Sequence, residues 1–179
     1  MLVLVVGPSG AGKDTLIKAA KTALAGDDRF AFPRRVVTRP AVASLEDHEV
    51  VTADEFVRQQ AHGAYALNWE AHGLHYGLPV RIRDDIAAGR VVVMNGSRAM
   101  VATARETFPG TVILLVDAAR EVRAQRLAGR GRETADEVAR RLAREVDVPL
   151  ADAIRVDNSG DVALGTERFL AALLSLTAL

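Results

Sequence analysis

The stretch Leu2-Val3-Leu4-Val5-Val6-Gly7-Pro8-Ser9-Gly10-Ala11-Gly12-Lys13-Asp14-Thr15 decides the fold. Its first five residues are apolar at consecutive positions, the pattern of a strand in a sheet covered on both faces. Glycines at 7, 10 and 12 then permit a tight loop whose backbone N–H groups turn inward, and Lys13 opens a helix. The spacing G-x-x-x-x-G-K is that of a phosphate-binding loop. Its amides and the helix N-terminus cradle anionic oxygens, and the lysine ammonium reaches the terminal phosphates of a nucleoside triphosphate. Gly7, Pro8, Ser9, Gly10, Ala11, Gly12, Lys13, Asp14 and Thr15 are therefore candidate ATP contacts. An ordinary glycine-rich turn would not bring strand, loop, lysine and helix together in this order.

Working outward, apolar runs at Leu2–Val6, Arg35–Thr38, Val91–Met94, Val112–Val116 and Ala153–Val156 read as strands. Helical patterns lie at about 13–25, 53–62, 79–88, 97–107, 118–128, 134–146 and 161–177. Strands alternating with helices predict an α/β three-layer sandwich: a parallel five-stranded core sheet with helices on both faces. Residues 1–179 read as one domain. The stretch 39–80, with prolines, glycines and histidines and weak periodicity, reads as an insertion that carries substrate contacts.

Composition narrows the class. The chain has 179 residues, with 23 basic and 23 acidic side chains, and its zero net charge argues against a dedicated nucleic-acid binder. It has no cysteine, which removes disulfides, thiolate nucleophiles and cysteine-based zinc sites and fits a reducing compartment. No apolar run approaches the roughly 18–20 residues that span a bilayer, and Leu2–Val6 lacks the basic flank of a signal peptide. A cytoplasmic protein with small-molecule partners is expected, and a homodimer is compatible with the sequence. Only Lys13, Lys18 and Lys21 are lysines; every other basic residue is arginine. Coding bias accounts for much of that surplus, but guanidinium groups also clamp phosphates bidentately.

The loop departs from its usual pattern at one position. A Ser or Thr that ligates Mg²⁺ normally follows the lysine, and here that residue is Asp14. The usual partner is an acidic residue ending another core strand, and Val91–Met94 is followed by Asn95. Asp14 is thus the candidate metal-contacting residue, supplying the charge that Asn95 lacks. The alternative is that Asp14 only complements the helix dipole.

Beyond the loop, the sequence resembles nucleoside monophosphate kinases, guanylate kinase in particular. The resemblance rests on Gly7–Lys13, on Arg126-Leu-Ala-Gly-Arg130-Gly-Arg-Glu133 with Arg140-Arg141-Leu142, and on Thr38-Arg39-Pro40, Asp47, Phe56, Tyr76-Gly77 and Asp157-Asn158 in the family's order. It departs where that family reads guanine: Leu67 stands at the carboxylate position and His48 at that of a phosphate-binding tyrosine. Gly-Lys-Asp in the loop, Arg34-Arg-Val-Val-Thr-Arg-Pro40, Glu46-Asp47-His48-Glu49, Trp69-Glu-Ala-His72-Gly and Asn95-Gly-Ser-Arg98 together look like the ribose 1,5-bisphosphate phosphokinase family.

That resemblance implies ATP-dependent phosphorylation of ribose 1,5-bisphosphate to 5-phosphoribosyl 1-diphosphate in phosphonate breakdown, with Mg²⁺. It implies that Lys13, Arg130 and Arg141 are catalytic, with a lid at about 126–135, and that Arg126 and Asn158 contact ATP. The acceptor side would be Arg35, Arg39, His48, Tyr76 and Arg98, with one of Arg34 and Arg35 facing water. The remaining arginines of 120–144 read as a solvated helical face, and Trp69 as local core. His72 and His75, three apart, lack a third ligand in the same motif and read as non-metal residues. A guanylate or other nucleotide kinase with an altered base pocket is the alternative. A non-catalytic binding module would not need the intact lysine and lid arginines.

Overall fold

The computed structural model describes residues 1–38, 48–71, 73–129 and 150–177. The opening apolar run is β1 (Leu2–Val6), buried along its length. Next come α1 (Lys13–Ala23), β2 (Phe30–Ala31), β3 (Arg35–Val37), β4 (His48–Val50), α2 (Ala53–Ala61), β5 (Tyr65–Ala71) and β6 (Leu74–Pro79). There follow α3 (Ile82–Ala87), β7 (Val91–Asn95), a 3₁₀ turn (Arg98–Met100) and α4 (Val101–Thr107). The last described elements are β8 (Val112–Asp117), α5 (Arg120–Ala128), β9 (Ile154–Asp157) and α6 (Val162–Ser175).

Five strands form a parallel sheet in the order β2-β7-β1-β8-β9. Their side chains alternate between two cores, as successive strand residues must. Leu2, Leu4, Val92, Met94, Ile113 and Leu115 face one core, with Ile82 of α3 and Val101 and Ala104 of α4. Val3, Val5, Val93, Leu114 and Val116 face the other, with Leu16 and Ala20 of α1 and Phe169 and Leu173 of α6. Each large side chain buried this way contributes roughly 1.5–3 kcal/mol. The three-layer reading of the sequence is what the chain adopts. Among the described residues no helix is long and apolar enough to cross a membrane.

The topology positions the site. β1 continues into α1 on one face of the sheet, and its neighbour β7 continues into α4 on the opposite face. A crevice therefore opens at the carboxyl ends of these two strands, the usual ligand position in an open parallel sheet.

Three sequence expectations need correction. Arg35–Thr38 was expected in the core sheet, but β3 belongs to a second sheet, of order β4-β3-β6-β5. The two-residue β2 completes the core sheet at the β7 edge instead, too short a strand to stand out as an apolar run. Within 39–80 the sequence showed weak periodicity and no strand beyond β3's run, yet β5 and β6 pair as a hairpin with Gly73, at φ 70°, in its turn. Strands facing both a core and a cleft show no clean alternation. Finally, the helix expected at 79–88 begins only at Ile82, because β6 extends to Pro79 and the Val80 N–H donates to the Ala64 carbonyl at 2.7 Å. The helical stretch expected at 134–146 lies outside the described residues.

Candidate active site

The phosphate loop packs tightly against the carboxyl end of β8. At Gly7 a Cβ would lie 2.0 Å from the Val116 carbonyl oxygen, so only glycine lets β1 turn there against β8. Gly12, at φ 93°, caps α1 in the left-handed region, and its carbonyl accepts the Leu16 N–H at 3.0 Å. Lys13 Nζ donates to the carbonyls of Gly7, at 2.9 Å, and Pro8, at 3.2 Å, so the ammonium lies across the loop's mouth. Ser9 is half-buried within the loop, and Thr15 is exposed on the first turn of α1.

Asp14 and Asn95 meet across the crevice. Asn95 Nδ2 donates to Asp14 Oδ1 at 2.5 Å, although the residues lie 81 apart in the chain. Asn95 Oδ1 is buried and has no hydrogen-bond partner among the described residues. A carboxylate beside an unsatisfied amide oxygen at a phosphate loop is a donor set of hard oxygens. It fits Mg²⁺, which takes one or two carboxylate or carbonyl ligands and completes its shell with water and phosphate.

On the far side of the loop, Asn158 follows β9, is 2% exposed, and its Nδ2 donates to the Ala11 carbonyl at 2.7 Å. Arg126, near the end of α5, approaches the same place. Its Nη2 donates to the Gly160 carbonyl at 3.4 Å, and its Nη1 is buried without a partner among the described residues. A Cβ on Gly12 would sit 2.4 Å from Asn158 Nδ2 and 3.7 Å from Arg126 Nη1. Asp157, beside Asn158, is held below the usual carboxylate range by the Ser159 hydroxyl and, more weakly, by Arg168.

Arg123 was expected on a solvated face of the 120–144 region, and this is corrected. It is only 6% exposed, its Nε donates to the Ala118 carbonyl at 3.0 Å, and Gly10 of the loop packs on its backbone. The periodicity of α5 hid this, because its inward face meets the loop and not an apolar core.

Of the residues expected on the acceptor side, Arg35, His48 and Tyr76 come from the second sheet. Register pairs Arg35 with His48 and both Trp69 and Val37 with Tyr76, which puts Arg35, His48, Tyr76 and Trp69 on one face. The Tyr76 ring stacks on Trp69 at 5.1 Å and 11°, and the Arg35 guanidinium lies over it at 5.7 Å. Since β6 lies between β5 and β3, the indole and the guanidinium flank the phenol. Arg34 is the more exposed of its pair, and its Nη2 donates to the His48 carbonyl at 2.7 Å. His48 is 4% exposed. Trp69, read from sequence as local core, packs against the main core and also belongs to this row. Its position two residues from Leu67 on the same strand was the available signal. Leu67 itself is buried in the main core. On the other face of this sheet, His75 stacks on Phe56.

Arg98 is half-buried at the start of the 3₁₀ turn after β7, at the same carboxyl edge as the phosphate loop. Arg39, Arg130, Arg141 and His72 lie outside the described residues, as does most of the expected lid.

A parallel sheet with a lysine-bearing phosphate loop at its carboxyl edge is the arrangement of a P-loop kinase. The fold agrees: guanylate kinase from Anaplasma phagocytophilum matches with a TM-score of 0.69 at 17% identity, over 98% of this chain and 85% of that one. No protein-family model matches. The ribose 1,5-bisphosphate phosphokinase PhnN of Acidiphilium cryptum is 51% identical over 173 residues, 97% of this chain and 92% of that protein. The protein of the same name from Brucella melitensis is 48% identical over 170 residues, 94% of this chain and 88% of that protein. The chain belongs to the ribose 1,5-bisphosphate phosphokinase family.

Proposed function

We propose that this chain transfers the terminal phosphoryl group of ATP to ribose 1,5-bisphosphate, giving 5-phosphoribosyl 1-diphosphate and ADP. An oxygen of the anomeric phosphate attacks the γ-phosphorus as the bond to the β,γ-bridging oxygen breaks, and ADP carries away the electron pair. The attacking phosphate is already ionised near neutral pH, so no strong general base is needed. The barrier is the approach of two anions, and catalysis is charge cancellation and alignment.

The single structural observation that carries the acceptor assignment is the Arg35–Tyr76–Trp69 row beside a buried Leu67. A guanine edge needs acceptors for its N–H groups. Leu67 has none, and each unpaired donor would cost about 1–3 kcal/mol. A phosphorylated sugar needs cations for its anionic ends, and Arg35 in that row would supply one.

Lys13 would bridge the β- and γ-phosphates. Arg126 approaches the phosphate loop from α5. By resemblance, Arg130 and Arg141 would neutralise the transferring group, Arg39 and Arg98 would hold the acceptor, and closure of a lid at about 126–135 would exclude water. Asp14 and Asn95 would hold Mg²⁺, which when bound offsets the charge of the β- and γ-phosphate oxygens. We take residues 1–179 as one kinase domain that acts in the cytoplasm during phosphonate breakdown.

The test is ATP-dependent turnover of ribose 1,5-bisphosphate beside GMP, with 5-phosphoribosyl 1-diphosphate detected by mass. Efficient phosphorylation of GMP with none of the sugar bisphosphate would overturn the assignment in favour of a nucleotide kinase.

A further inference from the structure

We propose that Asn158 is a positioning residue that sets the conformation of the phosphate loop from behind, instead of gripping the nucleoside. This rests on the ATP reading of the loop. Three observations carry it. The side chain is 2% exposed, so almost none of it is open to a ligand. Its Nδ2 is committed to the Ala11 carbonyl at 2.7 Å, across 147 residues of sequence. The amide is also wedged between two glycines: a Cβ on Gly12 would lie 2.4 Å from Nδ2, and a Cβ on Gly165 of α6 would lie 2.1 Å from Oδ1. Among the described residues Oδ1 has no hydrogen-bond partner, and it lies against the bare Cα of Gly165. The amide's orientation is thereby fixed, because a flipped amide would set oxygen against the Ala11 carbonyl oxygen.

The consequence follows from peptide geometry. In a trans peptide the carbonyl of Ala11 and the N–H of Gly12 point in opposite directions. Drawing the Ala11 oxygen back toward Asn158 turns the Gly12 N–H forward, the direction in which a phosphate loop presents its donors. Gly12 sits at φ 93°, and a glycine so placed leaves the preceding peptide free to rotate unless something holds it. Asn158 is itself anchored. Its N–H donates to the Asp117 carbonyl at 2.7 Å. The neighbouring Asp157 carboxylate binds the Ser159 hydroxyl and Arg168, and Ser159 Oγ accepts the Ala119 N–H at 2.9 Å.

Inorganic tripolyphosphate, a chain of phosphates with no base, is the discriminating probe. Turnover of ATP by the unaltered chain is measured first and tests the activity; ratios between variants then test the clamp. In Asn158→Asp, which keeps the shape but sets a second acceptor against the Ala11 carbonyl in place of the donor, the inhibition constant of tripolyphosphate against ATP and the KM for ATP should rise by the same factor, about tenfold. The KM for the sugar bisphosphate should stay within about twofold, since the acceptor face lies on the other sheet. Gly165→Ala touches no phosphate and should act in the same direction by displacing the amide. In the background of Asn158→Ala, Gly165→Ala should add nothing, because the group it displaces is gone. Thermal melting of each variant separates misfolding from loop effects, and if Asn158→Asp does not fold, Gly165→Ala carries the test. A rise confined to ATP with tripolyphosphate unaffected would overturn the proposal and assign the amide to the nucleoside. Unchanged affinity for both would overturn it as well.

Discussion

Asp14 is the most instructive residue to perturb, because it occupies a position where this loop usually carries a hydroxyl. Its carboxylate accepts Asn95 Nδ2, and Asn95 Oδ1 beside it is buried and unpartnered among the described residues. Asp14→Asn keeps the size and removes the charge. An interaction with a charged group is worth about 1.5–3 kcal/mol, and the half-exposed setting of Asp14 screens it toward the lower figure. The Mg²⁺ concentration for half-maximal turnover should therefore rise about tenfold, with excess metal restoring the rate. Asp14→Ala should do more, because it also leaves both polar atoms of the Asn95 amide without partners, at about 1–3 kcal/mol of stability. Exchanging the two devices, Asp14→Ser with Asn95→Asp, puts a hydroxyl after the lysine and a carboxylate at the strand end. That double variant should need less Mg²⁺ than Asp14→Ala. The assay is initial rate against free Mg²⁺ at saturating ATP. Superimposable titrations for the unaltered chain and Asp14→Asn would refute the metal role and leave Asp14 a helix-dipole residue.

Lys13→Ala removes the ammonium and leaves the backbone cradle, so turnover should fall at least about a hundredfold, roughly 2.7 kcal/mol of barrier, with an unchanged circular dichroism spectrum; near-normal turnover would sink the phosphate-loop mechanism. Trp69→Ala removes one side of the Tyr76 stack, worth about 0.5–1.5 kcal/mol beyond burial. Steady-state kinetics should show a higher KM for the sugar bisphosphate with the KM for ATP unmoved, and the reverse pattern would remove Trp69 from the acceptor side. Asp157 is depressed chiefly by Ser159, so its contribution to stability is present above the ordinary carboxylate pKa of about 3.9 and is lost as pH falls through the lower folded value. The stability gap between the unaltered chain and Asp157→Asn in urea titrations should accordingly be open at neutral pH and shrink below about pH 4; a gap constant down to strong acid would contradict the assignment.

Local pattern was enough to identify several parts of this protein. The run Leu2–Val6 followed by Gly7–Lys13 specified a buried parallel strand and a phosphate loop, because that chemistry needs contiguous residues at fixed spacing. The alternation of apolar runs with helical periods specified the layered sheet. Asp14 and Asn95 were legible as a departure, each from its own motif.

Other features depended on which distant segments meet. The two-residue β2 is a core strand only because β7 offers an edge to pair with. β3 leaves the core sheet because β6 and β4 flank it in the smaller one. Arg123 is buried because Gly10 packs on its backbone, and Trp69 stacks on Tyr76 because hairpin register sets the two opposite each other. The contact between Asp14 and Asn95 and the grip of Asn158 on Ala11 each join residues at least 81 positions apart. Short-range spacing carries no information about such pairs. Strand order and register bring them together, and those are fixed by burial of two cores at once.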